Sequence, residues 1–529
     1  MRRTRITWLA SVLAAVLAAV AIAGCGGSGS DGTDTDVGMG ADGGETTAAP
    51  ASSGGAITVG AAQGIPQLNP AIRTFAWEEV LFPLVWNGLS KVTESGAVEP
   101  DLAERWEASA DQRTWTFTLR SGVRFHDGTP VTAASVVSVF DYYTDRDTPT
   151  QEANKLAPIA KVTARGDDTV VFQLRTANAL FPSAITNVKI LDTRSLGTID
   201  KRPVGTGPYT VAEFLPDDSV RLVRNPDYFG DPAPLDEIRL VKTSDPTAAV
   251  NSLRSGDLNV LWSMPASDAA QFEGDTAVKL LKPELPSQWP SWEMDATSPP
   301  FDDPKARQAV AYATDREAIL EAAYFGQGLL APTNNALATD NPAYGGDLQE
   351  YPYDLEMAKR LFAEAGVRAG DKLIWWGTAG ANPEWQTSGE ILQASLKEIG
   401  IELEIQNNEV SKWADKFYPA GKKFPGMIVP NFQSTPPEPA YSLNFYLKGR
   451  CECNWDSPEF EAAYRAAVAE PDESARQELW GRVQEIINRE VPLIVPLQAT
   501  VVSAQTADVA GAWVEGGGQL HLENAGLAG

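Results

Sequence analysis

Between Lys372 and Glu409 the hydrophobic pattern changes period twice, and this constrains the fold more than any other part of the chain. Leu373, Ile374, Trp375 and Trp376 form a short apolar run of the kind seen in buried strands. From near Pro383 to Ile399, Ile391, Leu392 and Leu396 recur at helical spacing, and Gly400 supplies the stop. Ile401, Leu403 and Ile405 then alternate with Glu402 and Glu404, as in a strand with one buried face. Strand, helix and strand in so short a span make a crossover, so a partly parallel sheet with helices packed on it is expected.

The rest of the chain fits an α/β reading. In Trp106 to Phe140, Trp115, Phe117 and Leu119 alternate with threonines as a half-buried strand, and His126-Asp127-Gly128-Thr129-Pro130 is turn chemistry. Thr132 can cap a helix carrying Val136, Val137 and Phe140. Asp168 to Leu174 puts Val170, Phe172 and Leu174 on one face and suits pairing with the Trp115 strand, and Ala56 to Ala61 reads as a first strand. Asp245-Pro246, Asp303-Pro304 and Ser457-Pro458 each start a helix with a capping side chain and a first-turn proline. Tyr353 to Gly366 is amphipathic, with Leu355, Ala358, Leu361 and Phe362 inward. The Val204 to Tyr209 segment is a glycine-rich turn before a strand; it lacks the Lys-Ser/Thr of a phosphate loop.

The first residues are an address rather than a fold. Arg2, Arg3 and Arg5 precede the apolar run Ile6 to Ile22, which reads as a secretory signal peptide over residues 1–24. Ile22-Ala23-Gly24-Cys25 resembles a bacterial lipobox, in which Cys25 is lipidated and becomes the first residue. Residues 25–55 follow as a flexible linker of Gly, Ser, Thr, Asp and Ala that is not expected to fold and would span roughly 30 Å. The remaining chain, about 475 residues, is too long for one core. A formal charge of −27 argues against nucleic-acid binding, which needs basic surface. Besides Cys25, Cys451 and Cys453 stand with only Glu452 between them; a local disulfide is favoured over free thiols. A metal site would need more ligands than the two histidines, His126 and His521, can offer, and no cofactor is expected.

Four blocks in order carry a resemblance: the Trp106 to Phe140 stretch, VGTGPYTVAEF from Val204, PPFDDPKARQAVAYATDREAIL from Pro299 and DLEMAKRLFAEAG from Asp354. Together they resemble the family 5 solute-binding proteins, the peptide, oligopeptide and nickel receptors of ABC importers. The resemblance implies a periplasmic-binding-protein-like (class II) two-lobed cleft fold with an extra subdomain in the first lobe. On that pattern residues 56–283 form lobe I, with the subdomain near 76–199. Residues 284–491 form lobe II, and 492–529 return to lobe I. Ligand would bind between the lobes, shift an open–closed equilibrium and be passed to permease subunits.

The family's ligand-lining strand matches Gly426 to Thr435. Peptide receptors of the family commonly end that strand with an aspartate for the peptide α-ammonium; here the position holds Thr435, so a buried ammonium would lack its carboxylate. Glu438 or Asp295 are candidate substitutes, although Glu438 reads equally as a solvated loop carboxylate. Phe432 and Gln433 lie on the strand, Trp385 falls where the second lobe faces the ligand, and Trp376 and Tyr441 are further ligand candidates, beside Trp289 and Trp292. Trp115 and Trp413 are assigned to the core. The expectation is a monomeric, lipid-anchored receptor for a peptide or peptide-like solute on the outer face of the cell membrane. An oligosaccharide or other neutral solute is the alternative ligand. A secreted hydrolase is disfavoured, since no G-x-S-x-G elbow or H-E-x-x-H motif occurs, and a lipoprotein that binds without transport is a third class.

Overall fold

Two mixed sheets divide the chain. In a computed structural model the described residues are 51–528, apart from 53, 73–76, 287, 379, 381, 418–420 and 435–437. Cys25 and most of the linker therefore lie outside them. The linker's last residues behave differently from the unfolded expectation: Ala51–Ser52 pairs antiparallel with Gly526–Ala528, a strand from the far end of the chain.

Among the described residues the first sheet has seven strands centred on Ala56–Ala61. Glu237–Lys242 and Val260–Met264 flank that strand in parallel. Beyond Glu237–Lys242 lie Ser219–Arg224 and Tyr209–Leu215; beyond Val260–Met264 lie Val502–Thr506 and Val278–Leu281. The second sheet is also seven-stranded. Its long strand Gln288–Met294 pairs with Met427–Ser434, which is followed by Lys372–Thr378 and Glu402–Asn408. The last two are parallel and joined by the helix Pro383–Glu398, as the change of period predicts.

The chain crosses from the first sheet to the second between Leu281 and Gln288. It returns later than the expected boundary at 491/492. Leu493–Ile494 and Leu497–Ala499 still pair within the second sheet, so the first strand back in the first sheet is Val502–Thr506. Both short strands are buried, Gln498 included, and burial alone does not say against which sheet.

A separate four-stranded antiparallel sheet is built from Ala103–Ala108, Thr114–Leu119, Thr169–Leu174 and Ile159–Arg165, in that spatial order. Thr132 caps the helix Ala133–Thr144 over it through a reciprocal bond with Ser135. The Phe172 ring lies 5.4 Å from Phe117 and 4.7 Å from Phe140, so strand and helix share one aromatic core.

His126 fastens this subdomain to the glycine-rich turn. Its Nε2 donates to the Gly207 carbonyl at 3.0 Å, and its Nδ1 accepts the Gly205 N–H at 3.3 Å. The same turn closes the helix Glu78–Val85: Thr206 N–H and Gly207 N–H both donate to the Val85 carbonyl, one of the helix-end acceptors that lack an intrahelical partner. The approach is so close that a Cβ on Gly205 would stand 1.9 Å from the Val85 oxygen. Gly205→Ala is therefore expected to lower stability by about 3 kcal/mol or more, since neither backbone can move aside cheaply. Urea unfolding at constant slope would measure it, and a loss within error would refute the close-contact reading.

Candidate functional site

Side chains expected to line a ligand fall into three environments. Phe432 lies on the strand Met427–Ser434, opposite Pro290 of the neighbouring strand. Pro290 has no N–H to offer, and the Phe432 N–H is taken by the Asn431 side chain at 2.9 Å. The Phe432 ring is 47 % exposed on a strand otherwise largely buried. Trp385, in the first turn of Pro383–Glu398, packs 6.2 Å from Phe432 and 5.5 Å from Trp413. It is buried, so the open face of this aromatic stack belongs to Phe432. Gln433, the next residue, is half-buried.

Trp376 is buried in the second core with Lys412 over its ring at 5.2 Å. Lys412 and Trp413 share the helix Val410–Phe417, so this helix links Trp376 to the Trp385 stack. Trp289 and Trp292 are fully buried core residues. Tyr441 sits on the short helix Pro439–Leu443, packs against the core of the first sheet, and lies under Lys155 from the subdomain at 5.2 Å. It is a point of contact between the two halves of the molecule.

Asp295 differs from the expected open carboxylate. It is fully buried, and its oxygens accept from Thr297 N–H and hydroxyl, Phe424 N–H and the Asn454 amide, at 2.7 to 3.1 Å. Burial alone would raise its pKa, but hydrogen bonds from Ser298, Thr297 and Asn454 outweigh it and hold the carboxyl below the usual range. Its hydrogen-bonding capacity ties three loops together and is not open to a ligand ammonium. Glu438 is not a solvated loop carboxylate either: it is half-buried, and its side chain caps Pro439–Leu443 through the Ala440 N–H. Thr435 lies outside the described residues. Cys451 and Cys453 are joined as a disulfide, with Cα atoms 5.1 Å apart.

Two groups escaped the sequence reading. Glu293, on Gln288–Met294, is fully buried beside Asn431 at 3.2 Å, and burial, reinforced by Glu452, pushes its carboxyl well up. A lone acid in the run Gln288-Trp289-Pro290-Ser291-Trp292-Glu293-Met294 was the available signal. The second is a cavity of about 710 Å³ in the first half, lined by Asp101, Lys189, Tyr228, Trp513, Glu515, His521 and Glu523 among others. Burial would push the His521 imidazole down, but Glu523 and Glu515, at 3.2 and 3.3 Å, prevail and raise it to about 9. No helix among the described residues is long and apolar enough to cross a membrane.

Two sheet-centred halves joined by two crossings, with an aromatic ring exposed on an inner strand, define a two-lobed α/β binding fold. Residues 97–451 match the model of the bacterial extracellular solute-binding proteins, family 5 Middle. The chain belongs to that family, and it is a solute-binding protein rather than an enzyme. It is 27 % identical over 468 residues to the dipeptide-binding protein of Escherichia coli strain K12, covering 81 % of this chain and 86 % of that one. It is 29 % identical over 434 residues to heme-binding protein A of Haemophilus influenzae, covering 75 % and 78 %. The solved structure of HbpA2 from Haemophilus parasuis superposes with a TM-score of 0.78 at 25 % identity, over 89 % of this chain and 100 % of that one.

The hydrogen bonds of Asp295 give a pH-dependent prediction. A depressed carboxyl contributes stability that is present above its unfolded pKa and is lost as pH falls through the folded value. Asp295→Asn should cost about 2–3 kcal/mol at pH 7, with the difference from wild type shrinking below about pH 4. Chemical unfolding at pH 7 and pH 3 checks this; an equal difference at both values would show that the charge is not what holds the loops.

Proposed function

We propose that the chain captures a peptide-type solute between its two lobes and delivers it to the transmembrane subunits of an ABC importer, held at the outer face of the membrane through a lipid on Cys25. The carrying observation is Phe432: an exposed aromatic ring, backed by buried Trp385, on the strand that the family resemblance assigns to the ligand. A rigid apolar platform beside a backbone-bearing strand suits an extended peptide, whose main chain can pair while a side chain covers the ring. The dipeptide-binding relative supports that solute class. The heme-binding relative points elsewhere, yet both histidines of this chain are engaged at both ring nitrogens, His126 by Gly205 and Gly207 and His521 by Glu515 and Glu523. Neither is free to ligate a haem iron. With Thr435 at the usual aspartate position and Asp295 spent on its own loops, recognition here rests on apolar and backbone contacts more than on an ammonium anchor.

Native mass spectrometry of protein purified gently from its host tests the reading. A ladder of retained peptide masses is expected; an oligosaccharide or tetrapyrrole mass would overturn it. Phe432→Ala should weaken binding of the retained solute by about tenfold, the loss of one buried aromatic contact, while leaving the melting temperature within about 2 °C. Unchanged affinity would remove Phe432 from the ligand wall.

A further inference from the structure

The 710 Å³ cavity lies wholly in the first half, between the segment Pro83 to Arg120, the segment Thr186 to Asp231 and the C-terminal stretch Gly511 to Asn524. None of the residues assigned to the ligand wall lines it, and its walls need no movement of one lobe on the other. Its volume falls in the range of small-molecule sites, roughly 300–1,000 Å³.

Its charges are unusual in what they leave unspent. Lys189 is 9 % exposed and lines the cavity, yet its one hydrogen bond among the described residues is to the Thr186 carbonyl at 3.2 Å. Two of its three ammonium protons have no acceptor there, and a buried ammonium is costly without them. The Tyr228 hydroxyl accepts from the Asn87 amide at 3.1 Å and keeps its own proton to donate. Among the described residues Asp101 is a charge neighbour of Lys189 and not a hydrogen-bond partner; its two oxygens take the Asn87 amide at 2.9 Å and the Gly88 N–H at 3.0 Å. In the C-terminal stretch, Glu515 and Glu523 each direct one oxygen to His521, which fixes the imidazole between them, and both carboxylates also act on the Lys189 charge. The Trp513 ring lies flat on that imidazole, centroids 3.9 Å apart and planes 5° from parallel, and gives the cavity a planar wall. The lining thus offers protons still to donate, from Lys189 and Tyr228, together with a carboxylate pair around a single imidazolium.

We propose that this cavity is a second binding site, for a small zwitterionic solute whose carboxylate meets Lys189 and Tyr228 and whose ammonium meets Glu515 and Glu523. The lining carries Glu94, Asp101, Asp231, Glu515 and Glu523 beside Lys91, Arg120, Lys189 and His521, so a solute of one charge sign meets like charges as well as opposite ones, while a molecule with both charges pairs with each set.

Titration calorimetry on the intact protein tests this with glycine, β-alanine, 4-aminobutyrate and 6-aminohexanoate as probes, a series that differs only in the span between ammonium and carboxylate. One member should bind once per chain at submillimolar concentration. Lys189→Met and Glu515→Gln should each weaken it by at least about tenfold, the effect of one charge-assisted contact, while Phe432→Ala leaves it unchanged. Glu515→Gln keeps the size of a half-buried side chain and reports on the site even where Lys189→Met does not fold. No binding by any probe up to about 10 mM would overturn the proposal. So would wild-type affinity in folded Glu515→Gln, or loss of binding in Phe432→Ala.

Discussion

The second half of the molecule depends on the backbone pairing of one strand, Gln288–Met294. It is the first segment after the chain leaves the first sheet, and it pairs over seven registered positions with Met427–Ser434. On its other edge it takes Leu493–Ile494 and, at Gln288, Ala499. Trp292 faces one side of the sheet and Trp289 and Glu293 the other, all buried, so a one-residue slip would carry the Glu293 carboxyl into the core that Trp292 fills. The register also decides which aromatic ring the strand leaves exposed, because Phe432 stands opposite Pro290 only in this alignment.

A second device recurs wherever elements must be fastened without ion pairs: buried donors aimed at carbonyls. Arg307 is buried and gives its guanidinium to the Phe301, Glu490 and Val491 carbonyls, the latter two at the end of the long helix Glu473–Glu490. Arg316 does the same for Ala311, Ala331 and Tyr351. In the first half, Thr206 and Gly207 play that part for Val85. The family-like blocks around Val204 and Pro299 thus recur as scaffolding because they close helix ends and loops, which any ligand specificity would require equally.

Local signals in the sequence were read correctly where the physics is local. Thr132, Asp245, Asp303 and Ser457 cap the helices they introduce, and the Lys372 to Glu409 unit has the predicted parallel strands. What was not legible depends on distant neighbours. Asp295 reads as a candidate partner for a ligand ammonium until the fold brings Phe424 and Asn454, more than a hundred residues away, onto its oxygens. The cavity around Lys189 joins segments separated by over three hundred residues, and no periodicity reports such a meeting. Trp385 and Trp376 carry no mark that distinguishes a wall from a core; the structure buries both and leaves Phe432 exposed beside Trp385.

The Cys451–Cys453 bridge closes a ring of only three residues. In the chain-entropy picture such a ring restricts the unfolded chain by roughly 1.6 kcal/mol, against about 3 for a fifteen-residue loop. Its larger effect is therefore one of local order. The Cys453 carbonyl receives the Ala296 N–H, immediately after Asp295, and Asn454 reaches the same carboxylate. Reduction would therefore release only a small chain-entropy contribution, and the bridge bears on the bend that carries the Ala296 and Asn454 hydrogen bonds more than on whether the lobe folds.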